Sequence, residues 1–232
     1  MTGAIMQPTF FPWAGYFNLI SSADRFVFLD DVQLEKQSWQ TRNRILLHGN
    51  PSWITVPVVH QKLEQTIGGV EVSDRHNWRS KLMRTLSQGY ARHPHRGEIL
   101  EVAGIVESLE TSLLADINMA IIQAISEKLG IRTSFSRSSE LKLGGERSDR
   151  LIGICEHFEC ENYLSSVGSS EYLAEDHFAE KTSIHLKFQK YDPVPYSQPK
   201  AEEFVSHLSI LDVVACLGWE NASQYVRGEY EE

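Results

Sequence analysis

Gln7-Pro8-Thr9-Phe10-Phe11-Pro12-Trp13-Ala14-Gly15-Tyr16 is the stretch whose reading decides the fold. Ile5 to Gln7 reads as the end of a strand, and the two prolines break the chain into a turn. Phe17-Asn18-Leu19-Ile20 resumes as helix, and Arg25-Phe26-Val27-Phe28-Leu29 reads as a second strand closed by Asp30 and Asp31. This strand, loop, helix and strand predict a parallel pair. The loops after both strands then open at the carboxyl edge of the sheet, where ligands of α/β proteins sit.

Working outward, residues 52–59 and 69–72 read as strands joined by a polar loop that carries His60 and Lys62. Trp78, Leu82, Leu86 and Tyr90 recur every four residues and predict an amphipathic helix, with two more helices over 99–109 and 113–129. Residues 131–135 return to extended structure. Helix and strand then alternate again: a helix facing inward through Leu151, Ile154, Cys155 and Phe158, a strand at 162–165, a helix at 171–178 and a strand at 184–188. Residues 191–200 hold three prolines and predict an irregular connection, followed by a helical pair over 204–216. The sum is a three-layer, Rossmann-like α/β fold with a largely parallel sheet, expected as a single domain over 1–232 with a mainly helical insertion at about 76–130.

Composition narrows the function classes. The 232 residues are 41% hydrophobic, enough for a full core, and 31 acids against 22 bases give a net charge of −9. That charge argues against nonspecific attachment to nucleic acid or anionic membrane. The three cysteines cannot complete a disulfide framework, and the spacing of Cys155 and Cys160 fits no common zinc or redox motif, so a reducing, cytoplasmic setting is expected. Residues 1–23 lack any Asp, Glu, Lys or Arg, yet Gln7, Pro8, Pro12 and Asn18 interrupt them too often for a membrane span or a signal segment.

Several groups are candidates for chemistry. Asp30 and Asp31 close the second strand, where a carboxylate can hold a hydroxyl, an ammonium or, through water, magnesium; the alternative is a cap or a pair of salt bridges to Arg42 and Arg44. Lys36, Arg42 and Arg44 form a run of cations with no intervening acid and predict an anion-binding loop. Ser165, Ser166, Gly168 and Ser169 lie between a strand and a helix, so their backbone amides could face an anion. Arg147 and Arg150 are expected on the first turn of the preceding helix, facing the same crevice. Residues 75–96 hold six bases and no acid, a pattern of RNA binders, although the periodicity assigns Trp78, Leu82, Leu86 and Tyr90 to the core. The nine histidines form no metal signature, and no metal site is expected.

The run QPTFFPWAGYF, the segment FVFLDDVQ and the following RNR resemble the opening of the WbqC-like family. RSDRLIGIC at 147–155, YLSSVGSSEYL at 163–173, Tyr196 with Gln198, and Leu208-Ser209-Ile210-Leu211-Asp212 continue the resemblance over nearly the whole chain. The resemblance implies a place in surface-polysaccharide and O-antigen synthesis. The N-terminal unit is also similar to the start of nucleotidylyltransferases, a HUP-like fold whose turn carries His-x-Gly-His. Here Trp13-Ala14-Gly15-Tyr16 stands in its place, without either histidine.

Together these readings predict an enzyme that binds a nucleotide or a nucleotide-linked amino sugar, with or without magnesium, and transfers an acyl or aminoacyl group to a sugar amine. Asp30, Asp31 and Lys36 are its expected catalytic groups. Gln7, Gly15, Tyr16, Arg42, Arg44, Arg147, Arg150, Ser165, Ser166, Gly168 and Ser169 are expected around the ligand. A noncatalytic nucleotide-sugar or glycan-binding protein and an RNA-associated protein are the alternatives.

Overall fold

A computed structural model describes residues 1–59 and 65–231. The first unit is a strand β1 (Thr2–Met6), a helix α1 (Ala14–Ser21) and a strand β2 (Arg25–Phe28). A hairpin of β3 (Arg42–Leu47) and β4 (Asn50–Thr55) follows, then three helices, α2 (Trp78–Gly89), α3 (Arg96–Ser108) and α4 (Leu114–Lys128). The chain returns to the sheet through β5 (Ser134–Arg137), the short α5 (Ser138–Leu141), α6 (Arg147–His157) and β6 (Asn162–Ser165). It ends with α7 (Ser170–Glu175), α8 (Phe178–Lys181), β7 (His185–Phe188) and the long α9 (Ile210–Arg227).

The strands β5-β2-β1-β6-β7 form one sheet, and every neighbouring pair in it is parallel. Counted along the chain, this is the order 3-2-1-4-5 of a doubly wound fold. Period-two alternation turns Ala4, Phe26, Phe28 and Leu164 to one face, where α1, α4 and α9 pack, and Ile5, Val27 and Tyr163 to the other, where α6 and α8 pack. Helices therefore cover both faces. The chain leaves β1 through α1 toward β2 and later reaches β6, on the other side of β1, through α6. At such a reversal, beyond the carboxyl ends of the strands, doubly wound sheets generally place their ligands.

Three sequence expectations change. The run with Arg42 and Arg44 is a strand, not a loop; its turn holds His48 at φ 55° and Gly49 at φ 84°, two left-handed residues that suit a tight hairpin. A Cβ on Gly49 would meet the Lys200 carbonyl. The strand expected over 52–59 ends at Thr55, beyond which Val58 makes one bridge to Val72, while the loop with His60 and Lys62 lies outside the described residues. The terminal helical pair begins only at Ile210 and runs on to Arg227, bent at Gly218 (φ 76°).

Candidate functional site

The loop between β1 and α1 is fixed by bonds to its own carbonyls. The Tyr16 hydroxyl donates to the Gln7 carbonyl at 2.9 Å, and Asn118 Nδ2 donates to that of Pro8 at 3.0 Å. Asn43 Nδ2 donates to the carbonyls of Phe10 and Phe11, and the Ile210 amide to that of Pro12. Buried amides in these numbers make a pre-organised loop, because each would carry a desolvation cost if left unpaired. The loop's side chains divide accordingly: Phe10 and Phe11 fill the core, while Thr9, Pro12 and Trp13 line a cavity of about 430 Å³ at the end of β1.

Met6, Tyr16, Trp39, Asn43, Arg44 and His207 complete that lining. Two polar atoms in it are buried without a partner among the described residues, Thr9 Oγ1 and Arg44 Nε. Buried polar atoms are almost always hydrogen-bonded, and these two lie in the walls of the cavity without a protein partner. Alternation along β3 explains Arg44: Asn43 and Ile45 turn inward, and Arg44 turns to the cavity. His207, at φ 57°, lies over Trp13 with ring centroids 4.5 Å apart. Its loop is held by the amides of Ser209 and Ile210, bonded to the Arg44 and Pro12 carbonyls. Burial raises the Tyr16 phenol well above its ordinary range, so it stays protonated as a donor to Gln7.

The residues singled out from the sequence are scattered relative to this cavity. Asp30 is fully buried and already receives Arg137 Nε at 2.7 Å, Ser139 Oγ at 2.9 Å, the Ser139 amide at 3.0 Å and Ser138 Oγ at 3.3 Å. A carboxylate with its oxygens so occupied ties the end of β2 to the start of α5. Its cationic partner is Arg137, which also pairs with Asp116, and neither Arg42 nor Arg44 is involved. Asp31 pairs with Arg150 and accepts from Ser138, so the α6 arginine faces a protein carboxylate in place of a ligand. Arg147 pairs with Asp176 and Glu175, and Lys36 is exposed.

Gln7 accepts from Gln40 Nε2 at 2.6 Å beside the loop. A Cβ on Gly15 would fall about 2.1 Å from the Trp13 indole, so its missing side chain accommodates that ring. Arg42 places its guanidinium 4.2 Å from the centroid of the Trp53 ring. Ser165 and Ser169 bond to each other at 2.6 Å, and the Ser169 hydroxyl donates to the Ser166 carbonyl, so the hydroxyls of the β6 loop are used internally. Gly168 has open space where a side chain would be. β6 ends beside β1, in the register Ala4 to Leu164, so this loop borders the same sheet edge as Gln7. Thus Tyr16 and Arg44 line the cavity, Gln7 and Gly15 support its wall, and Asp30, Asp31, Arg137, Arg147 and Arg150 are engaged in ion pairs apart from it.

Arg79, in the basic segment, donates to the carbonyls of Val106 and Thr111, and Arg96 to Ser87; both hold helices together. Sequence reading passed over Thr9, Trp13, Trp39 and His207 as site residues. Thr9 and Trp13 stood inside the quoted run, but His207 lies in an irregular segment with no periodicity to place it. Among the described residues no group of three or more His, Cys, Asp or Glu could hold a metal, and no helix is long and apolar enough to cross a membrane.

Comparison with known proteins adds the kinship. A protein of Mycobacterium tuberculosis (strain ATCC 25618 / H37Rv), named Uncharacterized protein Rv1507c, is 32% identical over 230 residues, covering 97% of this chain and 96% of that protein. No solved structure matches the chain. The model of the WbqC-like protein family matches residues 7–224. The chain belongs to the WbqC-like protein family.

Proposed function

We propose that the cavity at the end of β1 binds a nucleotide or nucleotide-linked amino sugar, and that the protein transfers an acyl or aminoacyl group to the sugar amine in surface-polysaccharide assembly. One observation carries the binding half: an aromatic-walled cavity at the chain-reversal point of a parallel sheet, holding Thr9 Oγ1 and Arg44 Nε without protein partners. Guanidinium and hydroxyl suit phosphate or carboxylate oxygens, and Trp13 and Trp39 offer faces for a planar or pyranose ring. Trp13-Ala14-Gly15-Tyr16, the segment similar to the His-x-Gly-His turn of nucleotidylyltransferases, borders this cavity through Trp13 and Tyr16; without those histidines, adenylyl transfer is not the chemistry proposed.

In this reading Asp30 and Asp31 act indirectly, by fixing the β2–α5 edge, and His207 is the cavity's proton acceptor, since imidazoles commonly take a proton from an attacking amine at neutral pH. The amine's lone pair would attack the acyl carbon, the carbonyl-to-leaving-group bond would break, and the amine proton would pass to His207.

The test is calorimetric titration with uridine diphosphate N-acetylglucosamine and uridine diphosphate, followed by mass spectrometry with a nucleotide-linked sugar bearing a free amine and aminoacyl donors. Binding that falls about tenfold in Arg44→Ala, as expected for loss of a charged hydrogen bond, supports the site. Amide product lost in His207→Ala supports the chemistry. Binding with no amide product would leave a noncatalytic sugar-nucleotide binder.

A further inference from the structure

The outer face of the β3–β4 hairpin leads from the first cavity to a second one. Trp53 pairs across the strands with Arg44, so alternation turns Arg42, Arg44 and Trp53 to the same face. Arg44 lines the first cavity; Trp53 lines the second, of about 340 Å³, together with Thr55, His76, Trp78 and Lys81. Trp39 bridges them. It is a wall of the first cavity and rests against Trp53, with ring centroids 5.6 Å apart and planes inclined by 39°.

Both indoles are large and unusually open, at 49% and 48% exposed. Half-exposed indoles beside cations are a common mark of a recognition surface. A buried donor lies behind the wall of the second cavity. Trp78 is only 4% exposed, yet its Nε1 has no acceptor among the described residues, where a buried indole N–H ordinarily finds one. Lys81 at this cavity and Arg42 over the Trp53 ring supply positive charge on one face of a chain whose net charge is −9.

We infer that this face is a second subsite that takes an acidic sugar, a pyranose ring carrying a carboxylate, beside the ligand of the first cavity. The identity of the ring rests on the sugar-handling reading above; the subsite itself rests on the hairpin face. The C–H face of a pyranose packs on an indole because the ring's negative π-face attracts partially positive hydrogens. Two planes inclined by 39° suit a puckered ring and its linkage better than a parallel stack of nucleobases. The carboxylate pairs with the exposed Lys81 ammonium at the cavity.

The test is titration of tryptophan fluorescence with a glucuronate-containing tetrasaccharide and with a neutral tetrasaccharide of the same linkage, alongside uridine diphosphate N-acetylglucosamine. The acidic saccharide is expected to quench and to bind about tenfold more tightly than the neutral one, as one strong charged contact provides. Trp53→Ala should lose about tenfold in affinity and Trp53→Phe much less, while Lys81→Gln abolishes the preference for acid. Nucleotide-sugar affinity should stay unchanged in Lys81→Gln and fall in Arg44→Ala. No binding of the acidic saccharide, equal binding of the neutral one, or indifference to Trp53→Ala overturns the subsite. Acidic saccharide binding with these dependences, but no nucleotide-sugar binding, would instead sink the first cavity's reading and leave the subsite standing.

Discussion

Arg44 and Asp30 lie on neighbouring elements and carry opposite consequences. Asp30 is a buried acceptor that receives Arg137, so Asp30→Asn should destabilise the fold by about 3 kcal/mol, as breaking a buried ion pair does. Urea unfolding would show it, with nucleotide-sugar affinity largely kept at temperatures where the protein stays folded. Arg44→Ala should do the reverse, changing stability by only about 0.5 kcal/mol while weakening ligand binding. Gly15→Ala joins both effects. Its methyl group would displace the Trp13 indole, costing about 1–3 kcal/mol by overpacking and disturbing the cavity wall in the same step. The sequence showed that Gly15 and Tyr16 occupy a decisive turn, but the neighbour that demands a glycine is a ring two residues away, a contact no local pattern encodes.

At the scale of elements, the start of α9 anchors the irregular segment before it. Asp212 Oδ2 receives the Tyr196 hydroxyl at 2.7 Å and Gln198 Nε2 at 3.0 Å. Burial pushes the Asp212 carboxyl up to about 6 despite those donors. A carboxyl raised above its unfolded value near 3.8 binds its proton more tightly in the folded state, so it favours folding below about pH 4 and that contribution is lost as pH rises to about 6. The loss is on the order of 2–3 kcal/mol, and Asp212→Asn should lack this fall between pH 4 and 6.5 when unfolding is followed in urea. An equally steep fall in the variant would assign the pH dependence to other groups. Gly218, where α9 bends at φ 76°, abuts the His95 ring, so Gly218→Ala should cost about 1–3 kcal/mol from strain and collision together. Neither feature was legible beforehand. The helical periodicity of 204–216 is real in part, but the apolar residues before Ile210 pack from an irregular segment, where spacing does not reveal secondary structure. The helices α2, α3 and α4 were legible because each buries a sustained apolar stripe.

At the scale of the molecule, the alternation of helix and strand led to a parallel α/β sheet because short β-rich runs separated by amphipathic helices have few other solutions. The hairpin escaped, since Arg42, Asn43 and Arg44 are polar and read as a loop; what makes them a strand is pairing with the segment that carries Trp53. That difference moved the site. Cations taken as a loose anion-binding loop became an ordered face, while Asp31 and Arg150 were absorbed into an ion pair between β2 and α6. The carboxyl edge of the sheet was foreseeable from chain order alone, but which of its crevices stays open depends on long-range pairings.

The central claim is that the ligand sits at the end of β1, between Trp13, Arg44 and Thr9. A crystal structure of the protein soaked with uridine diphosphate N-acetylglucosamine tests it most directly. The expected result is ligand density in that cavity, with oxygen atoms against the Arg44 guanidinium. Density instead in the cavity lined by Phe28, Asp116, Arg137 and Glu140, with the end of β1 vacant, would contradict the account.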